Sequence, residues 1–420
     1  MSNKLSKEKV ESNVMNEKAE KNSSDRIINR RDFLRIAGAF GMTAAITGLL
    51  AACSSPTFLN VKEEAKKASD NEKQKTTKAD YIMRFSVDGS LNRYPDGPVT
   101  KSAGYLFGLV ELKEAIERNT KGRVAVEIHA DAVLGSQADA GKKVQQGILE
   151  MATISTQTAA VLAPVWNVLD VPYNIGPVDN FLKVIYSKEV NDTLREKSKE
   201  LGLIPTIIFP QPRWLQLRKG LKEVHVPDDI AGLKIRVTGS KFEQEAFKIL
   251  PSNPTPLAWA EVYTSLNEGT VDASHVGFVS ILDHNIHKVL GQTVDLEFMY
   301  NSDAHFMSTK IFNNYPKDIQ DAIMESIYES QVYIHDNFNE LIKNQIGVLE
   351  NSPNVGYKNE KVNITYLTDQ EREVWRDVLK YENNKKVYDQ MLDQYGRKEF
   401  EIVQAVASSG GSVEQKRWWK

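Results

Sequence analysis

Short apolar stretches alternate with helical patterns in the chain after residue 80, and this alternation restricts the fold more than any other feature. Three stretches are strand-like, at residues 81–87, 124–129 and 151–155. Between them, apolar residues recur at helical spacing in 105–119 and 138–147. Strands that are separated by helices usually pair in parallel through right-handed crossovers. The sequence therefore predicts an α/β fold with a parallel sheet.

The alternation resumes further along the chain. The next strand and helix candidates lie, in order, at 206–209, 233–237, 242–250, 259–267 and 271–276. Pro256 suits the first turn of the helix at 259–267, and Gly269 suits its end. A long amphipathic helix at 316–349 and a charged helical tail after Asn363 complete the prediction.

A chain of 420 residues is too long for one ordinary hydrophobic core and is predicted to form two domains. A signal peptide with a lipid-attachment motif is predicted at 1–52 and a flexible tether at 53–79. The first segment of α/β domain I is predicted at 80–208 and the first segment of α/β domain II at 209–290. Residues 291–420 are predicted to contain segments that return to both domains, plus long C-terminal helices.

The N-terminal region predicts export and a lipid anchor. Arg30 and Arg31, followed by Phe33 and Leu34, resemble a twin-arginine signal, and the apolar run 36–50 is too short to span a bilayer comfortably. The run ends in Leu-Ala-Ala-Cys53, which resembles the lipobox of bacterial lipoproteins. Cys53 is the only cysteine, so a disulfide framework and a cysteine-based zinc site are excluded.

Charge and motifs argue against nucleic acid binding and against catalysis. The first 52 residues carry a net charge of +3 in a chain of net charge −3, which leaves −6 for the remainder. No phosphate-binding glycine loop and no nucleophile elbow are present. His284 and His287, beside Asp283, have the spacing of a metal-binding pair, but a solvated surface pair is favoured because no third ligand is placed. We therefore expect no cofactor, no metal and no enzymatic activity.

Two motifs carry a family resemblance. The first reads Val226-Pro-Asp-Asp-Ile-Ala-Gly-Leu-Lys-Ile-Arg-Val237, and the second reads Asn253-Pro-Thr-Pro-Leu-Ala-Trp-Ala-Glu-Val-Tyr263. Together they resemble the DctP-type solute-binding subunit of tripartite ATP-independent periplasmic (TRAP) transporters, over roughly residues 80–350. Weaker matches lie at 122–136 and 168–173.

The resemblance implies a periplasmic-binding-protein-like fold of two α/β domains, with a hinge and a ligand cleft. It also implies that a small organic anion, usually a carboxylate and in some members a sulfonate, is handed to membrane permease subunits. Two other classes of protein remain open: a lipoprotein that senses the ligand for a membrane kinase, and a cell-surface enzyme.

The resemblance also implies the binding residues. Arg236 matches the arginine that grips the acid group, and a guanidinium suits a carboxylate because it offers two parallel donors. Arg213 matches a second arginine, with Arg218 as the competing alignment. Trp259 matches a pocket aromatic. The remaining carry-overs are Thr156 and Gln157, with Ser155 beside them, and Asn92.

The chain departs from the family at one place. Where many members have Gln-Glu-Asn after Val271-Asp-Ala273, this chain has Ser274-His-Val276, and valine cannot replace the asparagine that touches the acid group. Either His275 supplies the lost donor or the ligand sits differently. With Trp214, Trp259 and His275 as candidate cleft residues, we expect an acid with an apolar, aromatic or keto body rather than plain succinate or malate.

Overall fold

The computed structural model describes residues 74–75, 78–89, 108–277, 279–346 and 356–420. The predicted signal peptide, the lipid-attachment residue Cys53, most of the tether and the candidate binding residue Asn92 lie outside these described residues. Among the helices described, none is both long and apolar enough to cross a bilayer.

The strands in chain order are β1 Tyr81–Ser86, β2 Val124–His129, β3 Met151–Ser155, β4 Leu203–Arg218, β5 Lys234–Val237, β6 Asn253–Pro256, β7 Ala273–Gly277, β8 Leu290–Val294, β9 Tyr300–Ser308 and β10 Asn363–Thr365.

The helices are α1 Leu109–Asn119, α2 Gln137–Gln146, α3 Thr156–Leu162, α4 Val178–Tyr186, α5 Lys188–Val190, α6 Glu196–Glu200, α7 Lys241–Ile249, α8 Val262–Glu268, α9 Val279–Asp283, α10 Thr309–Asn314, α11 Lys317–Ile346, α12 Gly356–Asn359, α13 Asp369–Leu379, α14 Lys385–Tyr395 and α15 Arg397–Ala407. A π-helical turn joins α5 to α6, and 3₁₀ turns precede α4, β5, α8, β8 and α14.

The first sheet confirms the predicted parallel core. Strand β1 lies between β2 and β3 and pairs with both in parallel, and β9 and then β4 extend the sheet in antiparallel fashion. Helices α1 and α2 form the crossovers. The apolar side chains of these elements are buried in two clusters that include Phe85, Leu112 and Trp166.

The second sheet contains β7, β5 and β6, with β8 and β10 on its other side. Strands β5, β6 and β7 run parallel. The prediction for Pro256 was wrong, because this residue ends β6 opposite Val237 instead of starting a helix. The helix begins later, with the 3₁₀ turn Trp259–Glu261, and Gly269 ends α8 with a positive φ of 73°, as predicted.

Strand β4 belongs to both sheets. Its first part pairs with β9 as far as Pro212 opposite Tyr300, and its second part pairs with β7 from Arg213 opposite Gly277. The predicted strand at 206–209 was therefore much too short. The prolines at 205, 210 and 212 hid its length, because proline normally argues against a central strand.

Helix α11 confirms the long amphipathic helix predicted at 316–349, as far as residue 346. Its buried side chains recur at helical spacing and are Ile319, Ile323, Ile327, Ile334 and Phe338. They pack against α1 and the first sheet, so this single helix covers a large part of one face of the molecule.

We predict that Gly277→Ala destabilises the junction of the two sheets. A Cβ at Gly277 would overlap Oε1 of Gln211 and lie 3.0 Å from its Cβ. Gln211 is fully buried and donates to Asp303 at 2.5 Å, so it has little room to move. Overpacking of this kind costs about 1–3 kcal/mol of unfolding free energy, measurable by urea denaturation. The control is Gly410→Ala, because an added Cβ there contacts nothing within 4 Å; equal midpoints for the two variants would contradict the prediction.

Candidate functional site

A cavity of about 760 Å³ lies where parallel strands end. Asp88 follows β1, Ser155 ends β3 and Thr238 follows β5, and all three line the cavity. The carboxyl ends of parallel strands are the usual place for a ligand in an open α/β sheet, because the connecting loops diverge there. The cavity takes residues from both sheets, so it lies between the two halves of the sheet system.

Arg213 and Arg236 are the arginines among the described lining residues. Arg213 is the first residue of β4 that pairs with the second sheet, and its side chain is 1% exposed. Its Nη2 donates to Oε1 of Glu243 at 2.6 Å and also to the carbonyl oxygen of His275. Its Nε lies 3.1 Å from Nδ1 of His275. These contacts fix the orientation of the guanidinium.

Glu243 is the carboxylate that balances Arg213. Burial would raise the pKa of Glu243, but the guanidinium of Arg213, aided by His275 and Thr238, lowers it to about 2. The backbone N–H and the hydroxyl of Thr238 both donate to Oε2. Glu243 therefore stays ionised throughout the physiological pH range, and its contacts link β4 to α7 and to the loop that follows β5.

His275 supports Arg213 from behind the cavity. Its ring is fully buried and stacks on Phe298 with centroids 4.7 Å apart, and Nδ1 lies 2.9 Å from Oε1 of Glu243. Burial, followed by the charge of Arg213, lowers the pKa of His275 to about 4. The ring is therefore neutral at pH 7. It is not among the residues that line the cavity. The neighbouring Val276 does line it, at the position where the family asparagine was expected.

Arg236 leaves the carboxyl half of β5 and is 3% exposed. Its Nε donates to the carbonyl oxygen of Leu257 at 3.1 Å, and its guanidinium carbon lies 5.7 Å from the ring centroid of Trp259. Trp259 lines the cavity as well. Arg236 and Trp259 were predicted from two separate motifs. In the structure they lie side by side in the wall of the cavity.

Hydroxyl groups supply much of the remaining polar lining. They belong to Ser136, Ser155, Thr158 and Thr238. The Ser136 hydroxyl accepts from the backbone N–H of Asp139 and begins α2, and the Ser155 hydroxyl does the same for α3 through Thr158. Two helices thus begin at the cavity, each with its positive dipole end directed toward it.

A second buried carboxyl, Asp170, lies close to the ion pair. Its Oδ1 accepts from Nε2 of Gln157 at 2.6 Å, and Ser240 from the start of α7 lies beside it. Burial raises the pKa of Asp170 to about 7, although Ser240, Arg213 and Gln157 act in the opposite direction. Asp170 and Gln157 belong to the first half of the chain and Ser240 to the second, so this cluster joins the two halves.

The structure brings together only some of the predicted site residues. Arg213, Arg236 and Trp259 line one cavity, and Ser155 lies beside them. Thr156 and Gln157 are buried beneath it in α3 and are not among its lining residues. Trp214 points elsewhere, because its Nε1 donates to Glu297 and its ring packs edge-on against Tyr366. The competing Arg218 pairs with Asp272 at 2.9 Å, outside the cavity.

Sequence reasoning missed Glu243, Asp170 and His284. Glu243 lies in an ordinary amphipathic helix, and nothing in the pattern distinguishes it from a solvated carboxylate. The favoured interpretation of His284 and His287 as a solvated surface pair was wrong, because His287 is 4% exposed and the half-buried His284 accepts from Trp259. No group of three histidine, cysteine or acidic side chains that would hold a metal occurs in the part of the chain that the structure describes.

The family model of bacterial extracellular solute-binding protein family 7, DctP, matches residues 101–393. The chain belongs to this family. Membership implies an extracytoplasmic location and a solute-binding role for the protein. It also agrees with the resemblance carried by the motifs around Arg236 and Trp259.

Individual relatives are more distant. The 2,3-diketo-L-gulonate-binding periplasmic protein YiaO of Escherichia coli K12 is 31% identical over 163 residues, 39% of this chain and 49% of that protein, so the chain spans about half of that relative. The C4-dicarboxylate-binding periplasmic protein DctP of Rhodobacter capsulatus is 22% identical over 75% of this chain and 88% of that protein.

Solved structures confirm the fold. A TRAP periplasmic solute-binding protein from Polaromonas sp. JS666, bound to D-erythronate, has a TM-score of 0.67 at 19% identity and covers 78% of this chain and 100% of that chain. One from Roseobacter denitrificans, bound to β-D-glucuronate, has a TM-score of 0.66 at 21% identity and covers 77% and 99%. The α/β, periplasmic-binding-protein-like fold expected from the sequence is therefore confirmed.

We predict that Asp170→Asn becomes more stable, relative to the wild type, as pH rises from 4 to 8. The pKa of Asp170 is 3.8 in an ordinary setting and about 7 in the folded protein. Between these values the unfolded chain loses the proton while the folded chain keeps it, so wild-type stability falls as pH rises. At roughly 1.4 kcal/mol per pKa unit, the loss is on the order of 3 to 4 kcal/mol and ends near pH 8.

Urea denaturation at each pH gives the free energy of unfolding of the two proteins, and their difference isolates Asp170 from other titrating groups. Asp228→Asn, which changes an exposed carboxyl, serves as the control. A pH-independent difference between Asp170→Asn and the wild type would show that Asp170 does not keep its proton on folding.

Proposed function

We propose that this protein captures a small organic acid outside the cytoplasm and delivers it, without chemical turnover, to the membrane permease of a TRAP-type secondary transporter. One observation supports this most directly: Arg213 and Arg236 face the same cavity, and both are almost completely buried. Such side chains offer charge-assisted hydrogen bonds in a setting shielded from water, where these bonds are strongest.

The two arginines have different parts in the proposed recognition. Arg213 is held by Glu243 and His275, so it offers a preorganised donor group whose orientation needs no adjustment on binding. Arg236 donates through Nε to the carbonyl oxygen of Leu257 and lines the same cavity from β5. Val276 offers no donor, so we propose that the acid group is held by these two guanidinium groups rather than by an amide at that position.

The lining favours a hydroxylated acid. Of Trp214, Trp259 and His275, which were the basis for expecting an aromatic or apolar ligand body, only Trp259 lines the cavity. The four lining hydroxyl groups suit a ligand that itself carries hydroxyl groups, because each hydroxyl oxygen can accept a hydrogen bond. The relatives named for 2,3-diketo-L-gulonate, D-erythronate and β-D-glucuronate support the same ligand class, a hydroxy or keto carboxylate.

We propose that residues 80–208 and 209–290 begin two lobes that close on the ligand, and that both lobes continue within 291–420. Strand β4 passes from one sheet to the other between Pro212 and Arg213, and this crossing is the proposed hinge. A ligand that contacts both lobes only in the closed form shifts the population toward that form. Asp170 and Ser240 already meet across the two lobes.

We also propose that the protein is exported through a twin-arginine signal and anchored through lipid on Cys53. The prediction is that Cys53→Ser abolishes incorporation of labelled palmitate and releases the protein from the membrane fraction, because stable anchoring requires acyl chains. Ser54→Ala is the control. Palmitate labelling of Cys53→Ser at the wild-type level would exclude the anchor.

Arg236→Ala should leave the fold intact and weaken ligand binding by roughly 3–5 kcal/mol, since the acid group loses a desolvated charge partner. The measurement is a thermal-shift screen of hydroxy, keto, aromatic and dicarboxylic acids and sulfonates, followed by titration calorimetry on each acid that stabilises the protein. A saturating acid at a hundredfold excess over its dissociation constant adds roughly 2.7 kcal/mol of stability. Arg236→Lys should also weaken binding, because an ammonium cannot form two parallel bonds.

Arg218→Ala is the matched control, because Arg218 lies on the same strand as Arg213 but pairs with Asp272 outside the cavity. Wild-type affinity in Arg236→Ala would refute the site. C4-dicarboxylates that displace every hydroxy and keto acid would refute the ligand class but not the site. Conversion of a bound acid into a product during incubation would refute a purely binding role.

A further inference from the structure

Two neighbouring cavities have several lining residues in common. The ligand cavity of about 760 Å³ and a neighbouring cavity of about 430 Å³ are both lined by Trp259, Ala260 and His284. The smaller cavity continues past Tyr263 and Lys288, which are exposed, so it is a groove that opens on the surface. We call it the outer groove. Trp259 and His284 supply the large side chains that separate it from the ligand cavity.

The two rings of this wall are fixed to each other. Nε1 of Trp259 donates to Nε2 of His284 at 3.0 Å, and the rings meet edge to face with centroids 4.9 Å apart. Nδ1 of His284 lies 3.1 Å from the carbonyl oxygen of Ser280, one helical turn earlier. Because Nε2 accepts, the neutral ring carries its proton on Nδ1, which is the tautomer that donates to Ser280. The contacts of both ring nitrogens are therefore consistent with the same tautomer of His284.

This arrangement has a consequence for recognition. The indole N–H is the only polar donor of Trp259, and it is used within the wall. Trp259 therefore presents carbon surface to the ligand, with its ring 5.7 Å from the guanidinium carbon of Arg236. The part of a bound acid next to the carboxyl group would pack on this surface without a hydrogen bond to the indole.

We infer that His284 is a positioning residue that holds Trp259 as a partition, and that this partition limits the size of the acid by separating the ligand cavity from the outer groove. The inference rests on the proposed capture of an organic acid. The outer groove suits the extension of a longer hydroxylated acid, because Thr264 and Asn285 offer polar groups on its walls.

The test uses the full-length protein and two probes, D-gluconate and lactobionate, which is gluconate extended by a galactose unit. In His284→Ala the imidazole is removed, the two cavities join and Trp259 loses its acceptor. We expect the ratio of lactobionate to gluconate affinity, measured by titration calorimetry, to rise at least tenfold over the wild type. A ratio within twofold of the wild-type value would overturn the proposed size limit.

Tyr263→Ala provides the matched comparison, because Tyr263 lines the outer groove and not the ligand cavity. Alone it should leave gluconate binding unchanged. Combined with His284→Ala it should change lactobionate affinity while leaving gluconate affinity as in the single variant. If the two substitutions change the affinities for gluconate and lactobionate equally and additively, the outer groove takes no part in binding. That result would also overturn the proposal.

A second readout does not depend on any acid. The fluorescence of Trp259 is obtained as the difference between each protein and its Trp259→Phe derivative. In His284→Ala this difference spectrum should shift to the red and become more sensitive to acrylamide, because the indole is released toward water. An unchanged spectrum would overturn the positioning role of His284 even if acids bind. A shifted spectrum in a protein that binds no acid would support that positioning role but refute the proposed ligand class.

Discussion

The ion pair between Arg213 and Glu243 is the contact on which the rest of the site depends. Both side chains are excluded from water, with 1% and 0% exposure. A charge buried alone costs several kcal/mol, and the cost is recovered only when each charged atom has a partner of good geometry. Here the backbone N–H of Thr238 donates to Glu243, and the carbonyl oxygen of His275 accepts from Arg213. Strands β4 and β7, helix α7 and the loop after β5 are therefore held in one relative arrangement.

That arrangement explains why the cavity lies where it does. Arg213 occurs at the residue where β4 changes partner, from β9 in the first sheet to β7 in the second. Gly277 lies opposite it, and the absence of a side chain there leaves room for the buried Gln211. The crossing strand thus carries a charged group to the boundary between the sheets. The parallel strands β1, β3 and β5 bring polar loops to the same boundary.

The sequence was sufficient for the fold class, and it named three of the residues that line the candidate cavity. The first three strands and the long helix were recognisable because their apolar side chains repeat at the periods of a strand and a helix. Arg236 and Trp259 were recognisable from motifs. The length of β4 was not recognisable, because its three prolines argue against a strand. In the structure the pairing of β4 with β9 accommodates them. Glu243 and Asp170 were missed because a buried carboxyl and a solvated one look the same in a sequence, and only the packing distinguishes them.

Val276 lines the candidate cavity without offering a hydrogen-bond donor from its side chain. Alternation along β7 puts Val276 toward the cavity and His275 behind it. The histidine therefore contacts Arg213 from outside the cavity and helps to orient its guanidinium. The charged donors among the described lining residues are the guanidinium groups of Arg213 and Arg236. The pairing of β7 with β4 thus sets an apolar wall residue, Val276, beside a buried residue, His275, that contacts a charged donor of the same wall.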